Sequence, residues 1–231
     1  GLSLAKLSDA RVTGITLSNE QLRRARDRAK KMGLDNQVRF ELRDYRKVAQ
    51  KFDRIVSVGM FEHVGVNHYQ EFFDQVYKLL KDDGVALVHS IGRSDTPGIT
   101  NPFIEKYIFP GGYIPALSEV IPAIERAGLM VADVEVLRLH YAHTLRAWRD
   151  AFMARRDEAK RLMGERFCRM WEFYLAGSEL AFRYQGLMVF QIQLIKQVDA
   201  LPLTRDYMVE DERRLQAIET GEGQRPRLAG T

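Results

Sequence analysis

Two hydrophobic periods alternate along the chain, one near two residues and one near 3.6, and they mark out strands and helices in turn. "ARVTGITLS" predicts a short strand that ends at Ser18. Ser18 with Gln21 three residues on is a capping-box pattern, so a helix is expected over roughly 19–31, with Gly33 as its stop. "QVRFELRDY" predicts the next strand. "FDRIVSVGM" is apolar at nearly every position and predicts a central parallel strand covered on both faces. The link between these two strands, "RKVAQK", is shorter than the ~10–12 residues of a full crossover, so it predicts one tight helical turn or a loop. "YQEFFDQVYKLL" has Phe72, Phe73, Val76, Leu79 and Leu80 at helical spacing, and "KDDGVALVHS" reads as a turn that feeds another buried strand.

Residues 10–90 thus read β-α-β-β-α-β. Residues 91–115 break the pattern, with four Gly, four Pro and four aromatics in 25 positions. That composition predicts an ordered loop over a pocket, walled by Phe103, Tyr107, Phe109 and Tyr113. Downstream, "SEVIPAIERAG" predicts a helix that stops at Gly128, and "LMVADVEVLRLH" a strand. Residues 144–163 and 165–183 predict two helices broken near Gly164. "LMVFQIQLIKQ" alternates as an antiparallel strand does, and the polar residues from Val198 to "GEGQRPRLAGT" read as a loose tail. The expected fold is α/β, a doubly wound, Rossmann-like and mostly parallel sheet with an antiparallel last strand. Residues 1–197 form its one domain, with a helical insertion at about 143–185. Ligands of such sheets bind beyond the carboxyl ends of the strands. Those ends are 16–18, 43–45, 59–65 and 89–92, where the polar exceptions of the chain also lie.

Composition narrows the classes. The 231 residues, 45% hydrophobic and 29% charged, suffice for one good core. A single cysteine, Cys168, excludes an internal disulfide and a cysteine metal cluster, and it fits a reducing cytosol. Cys168 itself reads as a small buried hydrophobe. No apolar run reaches the ~18 residues of a membrane span. The net charge is +4, and residues 144–170 hold eight Lys/Arg against four acids. Such a surface is either a solvated helix face or an attractor of anionic lipid or nucleic acid.

At the strand ends the sequence resembles the S-adenosylmethionine-dependent cyclopropane fatty acid synthases, which include the mycolic acid cyclopropane synthases. The matching words are "VTGITLSNEQ", "FDRIVSVGMFEHVG", "LVHSIGR", "KYIFPGGYIP", "RLHYAHTLRAW", "ERFCRMWEFYLAGSELAFR" and "MVFQIQL", which span nearly all of 10–196. The resemblance implies a class I methyltransferase whose first strand and Gly-rich cofactor turn lie ahead of Gly1. It implies S-adenosylmethionine contacts at Thr16, Leu17, Ser18, Gln21, Asp44, Tyr45 and Val58. It also implies a bound bicarbonate acting as base, held by Glu62, His89 and Tyr141 with the backbone of Ile91. Glu62, His89 and Tyr141 are then the catalytic residues, with no metal ion, and His63 stands behind Glu62 as a bystander. Phe109, Tyr113, Trp171, Phe173, Tyr174 and Phe182 are candidates for the wall of an acyl-chain pocket.

The function so implied is transfer of a methylene group to the cis double bond of phospholipid acyl chains. The expected partner is an anionic membrane surface, met peripherally from the cytoplasm at the inner membrane. Nucleic acid is not expected, and a homodimer is left open. Two alternatives stand beside this reading. One is another methyltransferase, acting on acyl chains without ring closure or on a small molecule. The other is an inactive or lipid-binding fragment.

Overall fold

The computed structural model describes residues 1–8 and 10–221. The chain divides into two compact units, residues 1–50 with 202–231 and residues 51–201. The sequence reading places 1–197 in one domain, so the two divisions differ.

The first unit holds α1 (Leu2–Leu7), β1 (Val12–Thr16), α2 (Asn19–Lys31), β2 (Val38–Leu42) and α9 (Asp206–Thr220). β1 and β2 pair in parallel, with Val12 opposite Val38 and Thr16 opposite Leu42. α2 starts where the Ser18 hydroxyl accepts from the Gln21 amide and ends ahead of Gly33, as its caps predict. The Gln37 side-chain amide ties down the carbonyls of Ala5, Ser8 and Ala10, which fixes the turn between α1 and β1. The expected loose tail is corrected. α9 forms there and leans on α1, and its sequence shows little apolar periodicity because none of its residues is fully buried. The rest of that expectation, residues 222–231, lies outside the described residues.

The second unit is built on a four-stranded sheet of order β3-β4-β6-β5, formed by β3 (Phe52–Val58), β4 (Leu80–Arg93), β5 (Met130–Leu137) and β6 (Leu187–Ile195). β3 and β4 are parallel, and β6 alone runs against its neighbours, as its alternation predicts. Between the strands lie α3 (Tyr69–Leu79), α4 (Pro102–Tyr107), α5 (Leu117–Arg126), α6 (His140–Ala154), α7 (Arg156–Met163) and α8 (Glu165–Tyr184). On one face of the sheet Val88, Ser90, Phe190, Ile192 and Leu194 are buried, and Phe61, Tyr69, Phe72 and Phe73 form a ring cluster at the start of α3. On the other face Ala142, Leu145, Leu175, Phe182 and Val189 form a second core, joined by Ile91, Leu137 and Tyr141.

Three expectations for this unit change. β3 is an edge strand among the described residues, not a central one, and Val56 and Val58 are 54% and 63% exposed. The second core covers the Ile91–Leu137 end of that face and leaves the β3 side open. The predicted turn 81–84 is a bulge inside β4, since Phe52 pairs with Leu80 but Arg54 with Val85. The helix expected over 144–163 is two helices that part at Arg155, while the break at Gly164 stands. "RKVAQK" gives a single 3-10 turn at Tyr45–Lys47 and then runs out of the first unit.

Gly92 shows how tightly β4 is packed near the strand ends. A Cβ there would lie 2.6 Å from the ring of Phe190, which is fully buried, and 3.2 Å from the Pro115 carbonyl. Gly92→Ala should therefore cost about 1–3 kcal/mol, read as a lower urea midpoint at constant slope. An unchanged midpoint would show that Phe190 can retreat.

Candidate active site

The first unit carries six of the seven candidate cofactor residues at the ends of its two strands. Beyond β1 the Thr16 hydroxyl donates to the Gln21 side-chain oxygen at 2.8 Å and accepts from the Ser18 amide at 3.1 Å. The capping box is thus a variant: Ser18 serves the Gln21 amide, but the Gln21 side chain turns to Thr16. Leu17 projects between them, 74% exposed. Beyond β2 Asp44 caps the 3-10 turn, accepting from the Arg46 amide, and its two oxygens meet the Arg46 guanidinium at 2.6–3.1 Å. The guanidinium holds the Asp44 carboxyl at about 2, and the Arg46 amide adds to the effect. Tyr45 lies under the same guanidinium, 5.9 Å from its ring centroid. Val58, the seventh residue, ends β3 in the second unit.

The second unit carries the candidate catalytic residues. β3 stops at Val58, opposite His89, and Gly59 (φ 63°) turns the chain into a short 3-10 segment, Phe61–His63. Phe61 plugs the core with no exposure, so its neighbour Glu62 turns toward β4. Glu62 Oε1 accepts from the Ile91 amide at 2.8 Å. Glu62 Oε2 is buried and meets no donor among the described residues. The Ile91 amide is therefore engaged by Glu62 itself.

His89 lies two residues before Ile91, on the same face of β4. Its Nδ1 is 3.0 Å from the Gln191 side-chain amide nitrogen on β6. That nitrogen can only donate, so Nδ1 accepts and a neutral ring carries its proton on Nε2. Tyr141 starts α6, stacks on Phe182 at 5.5 Å between ring centroids, and packs on the same core as Ile91. Ile91 is thus the common neighbour of the trio: its amide meets Glu62, its side chain shares a core with Tyr141, and His89 precedes it on the strand.

Above these residues the loop after β4 is ordered, as its apolar content predicts. Asn101 caps α4, and Phe103 meets Phe173 of α8 edge-on at 4.9 Å. Phe109 meets both Tyr174, at 6.0 Å, and His63, at 6.3 Å, while Trp171 lies 5.0 Å from Tyr174. Burial and the neighbouring Tyr141 push the Tyr174 phenol up. His63 is exposed and faces the loop rather than the trio. Cys168 is fully buried, as expected. Tyr113 parts from the aromatic wall. Its hydroxyl donates to both oxygens of Glu119, at 2.8 and 3.0 Å, and its amide donates to the Glu62 carbonyl at 2.8 Å. Burial and Glu119 together raise the Tyr113 phenol.

Sequence reasoning missed Gln191, Glu119 and Tyr69. Gln191 had a signal, a polar residue inside the apolar run "MVFQIQL". Tyr69 had none, because an aromatic at the head of an amphipathic helix reads as core.

Comparison with known proteins bears on the family and the fold. A family model described as mycolic acid cyclopropane synthetase matches residues 2–192. A probable fatty acid methyltransferase of Pseudomonas putida is 39% identical over 215 residues, which is 88% of this chain and 55% of that protein. The cyclopropane-fatty-acyl-phospholipid synthase of Escherichia coli K12 is 38% identical over 196 residues, 85% of this chain and 50% of that one. The chain thus spans about half the length of these relatives. Among solved structures, the mycolic acid cyclopropane synthase CmaA1 complexed with SAH and CTAB aligns with a TM-score of 0.73 at 30% identity, over 80% of this chain and 70% of that one.

The Asp44–Arg46 pair gives a pH prediction. A carboxyl held at about 2 contributes stability above its unfolded value of about 3.9, and loses it as the pH falls through 2. Arg46→Ala should move the Asp44 midpoint, followed by carboxyl carbon NMR, up toward 3.8, the value without the pairing. A midpoint that stays near 2 would show that the backbone amide alone holds it.

Proposed function

The chain belongs to the mycolic acid cyclopropane synthetase family, and on that premise we propose that it adds a methylene group to the cis double bond of phospholipid acyl chains. The observation that carries this reading is the state of Glu62, with one oxygen fixed by a backbone amide and the other buried with no donor among the described residues. S-adenosylmethionine, when bound, supplies the electrophilic methyl group, and bicarbonate, when bound, supplies the base. The chemistry of the trio fits an oxyanion of that kind: His89 Nε2–H and the Tyr141 hydroxyl would donate to it, and Glu62 Oε2 would accept its proton.

The chemistry assigns work to each residue. A methyl cation added to an alkene leaves a carbocation, and loss of a proton from that methyl closes a three-membered ring. That proton is not acidic before the methyl is transferred, so the acceptor must be in place beforehand. Glu62 is held in place by Ile91, and His89 by Gln191, so neither must reorganise during the reaction. Phe103, Phe109, Phe173 and Tyr174 pack edge-on in two pairs, and Phe109 and Phe173 stay exposed, so they offer aromatic surface to an apolar chain. In the first unit the exposed Leu17 and the Thr16–Gln21 pair offer apolar and polar contacts to an adenosine group.

The reading also names a surface. Leu162 and Met163 stand exposed at the end of α7, beside Lys160, Arg161, Arg166 and Arg169. An apolar tip ringed by cations suits an anionic bilayer met peripherally, on the cytoplasmic side of the inner membrane. A second reading, acyl methylation without ring closure, is favoured by the likeness to the P. putida protein and would use the same trio.

Expression of the chain in cells rich in cis-unsaturated phospholipid should add a CH2 increment to those acyl chains, by mass spectrometry. The increment should survive hydrogenation as a ring, and a methyl branch would select the second reading. Glu62→Gln should lower the yield by roughly 10²–10⁴-fold. Wild-type yield from that variant would remove Glu62 from the chemistry.

A further inference from the structure

Three side-chain atoms of the second unit are buried without a partner among the described residues: Ser57 Oγ, Glu62 Oε2 and the Tyr69 hydroxyl. The carboxylate oxygen accepts and the phenol donates, so the last two are complementary. Tyr69 opens α3, is 2% exposed, and stacks on Phe61, the residue next to Glu62, with ring centroids 4.4 Å apart. A buried phenol without a partner costs about 1–3 kcal/mol, so it calls for an acceptor. Two carboxylates act on it electrostatically, Glu119 and Glu62. Glu119 on α5 is already served, by the Tyr113 hydroxyl on both oxygens and by the Ala116 amide at 2.9 Å. Glu62 Oε2 is served by nothing among the described residues.

We infer that Tyr69 is a positioning residue for Glu62, its hydroxyl donating to Oε2 through one enclosed water. The inference rests on the reading of Glu62 as the anchor of the site and adds a residue that this reading does not use. Together the Ile91 amide and the Tyr69 hydroxyl then hold both oxygens, which fixes the plane of the carboxylate. Glu62 therefore stays ready to share a proton at the front of the site while the back is held. Burial, and then the charges of Glu119, Tyr113 and Glu62, raise the Tyr69 phenol, so Tyr69 keeps its proton and remains a donor. The other titratable groups around Glu62 are His89 on β4, Tyr113 and Glu119 beyond the loop, and Tyr141 on α6. None of them donates a hydrogen bond to Oε2.

The test reads the carboxylate itself. Infrared difference spectra between the chain and its Glu62→Gln variant identify the antisymmetric and symmetric carboxylate bands of Glu62. Tyr69→Phe keeps the ring stacked on Phe61 and removes only the hydroxyl. The variant should shift the splitting between those two bands, because one of the two donors to the carboxylate is gone. Bands that do not move would overturn the inference. Bands that move in Glu119→Gln, with Tyr69→Phe silent, would assign the phenol to Glu119 and overturn it too. The activity of Glu62→Gln tests the reading of the site and leaves the band measurement unaffected, so the two fail separately.

Discussion

The hydrogen bond from the Ile91 amide to Glu62 Oε1 arises from a mismatch in strand length. β3 ends opposite His89, and the Gly59 amide makes the last bond of that ladder, to the His89 carbonyl. β4 runs on to Arg93, so the next N–H along that edge, that of Ile91, has no strand to receive it. A buried amide left open costs about 1–3 kcal/mol. Glu62 reaches back from the turn and takes it. The carboxylate is therefore pinned by a need of the sheet, and chemistry that uses its other oxygen inherits a fixed orientation.

The same turn anchors the cover of the site. The Glu62 carbonyl accepts from the Tyr113 amide, and Tyr113 is tied in turn to Glu119 on α5. The aromatic loop after β4 thus hangs from the residue it covers. Its position depends on a few hydrogen bonds and ring contacts, and on room such as Gly92 leaves for Phe190. The chemistry proposed for Glu62 would need apolar cover beside an acceptor, and these contacts join the aromatic loop to Glu62.

Local chemistry was the readable part of the sequence. Ser18 and Gly33 bound α2, Gly164 breaks α7 from α8, and alternation marks β6 as antiparallel, because each signal acts within a few residues. Glu62 was legible as the polar residue just past an apolar strand. What depends on distant partners was hidden. The apolar run of β3 says that its faces suit burial, but not which neighbour covers them, and here one face is open. The break at Arg155 falls among good helix formers with no Gly or Pro to announce it. The bulge at 81–84 follows from pairing with β3, and the turn of Tyr113 away from the aromatic wall follows from Glu119 on another helix. His89 could be named from its motif, yet its tautomer is set by Gln191, 102 residues away.

If this site removes a proton from the transferred methyl group, an isotope label on that methyl will show it. With S-adenosylmethionine carrying a trideuterated methyl, the lipid products should retain two deuterium atoms at the new carbon, the third having left to the acceptor beside Glu62. Products that retain all three would mean that the methyl loses no proton, and would contradict the role given to Glu62, His89 and Tyr141.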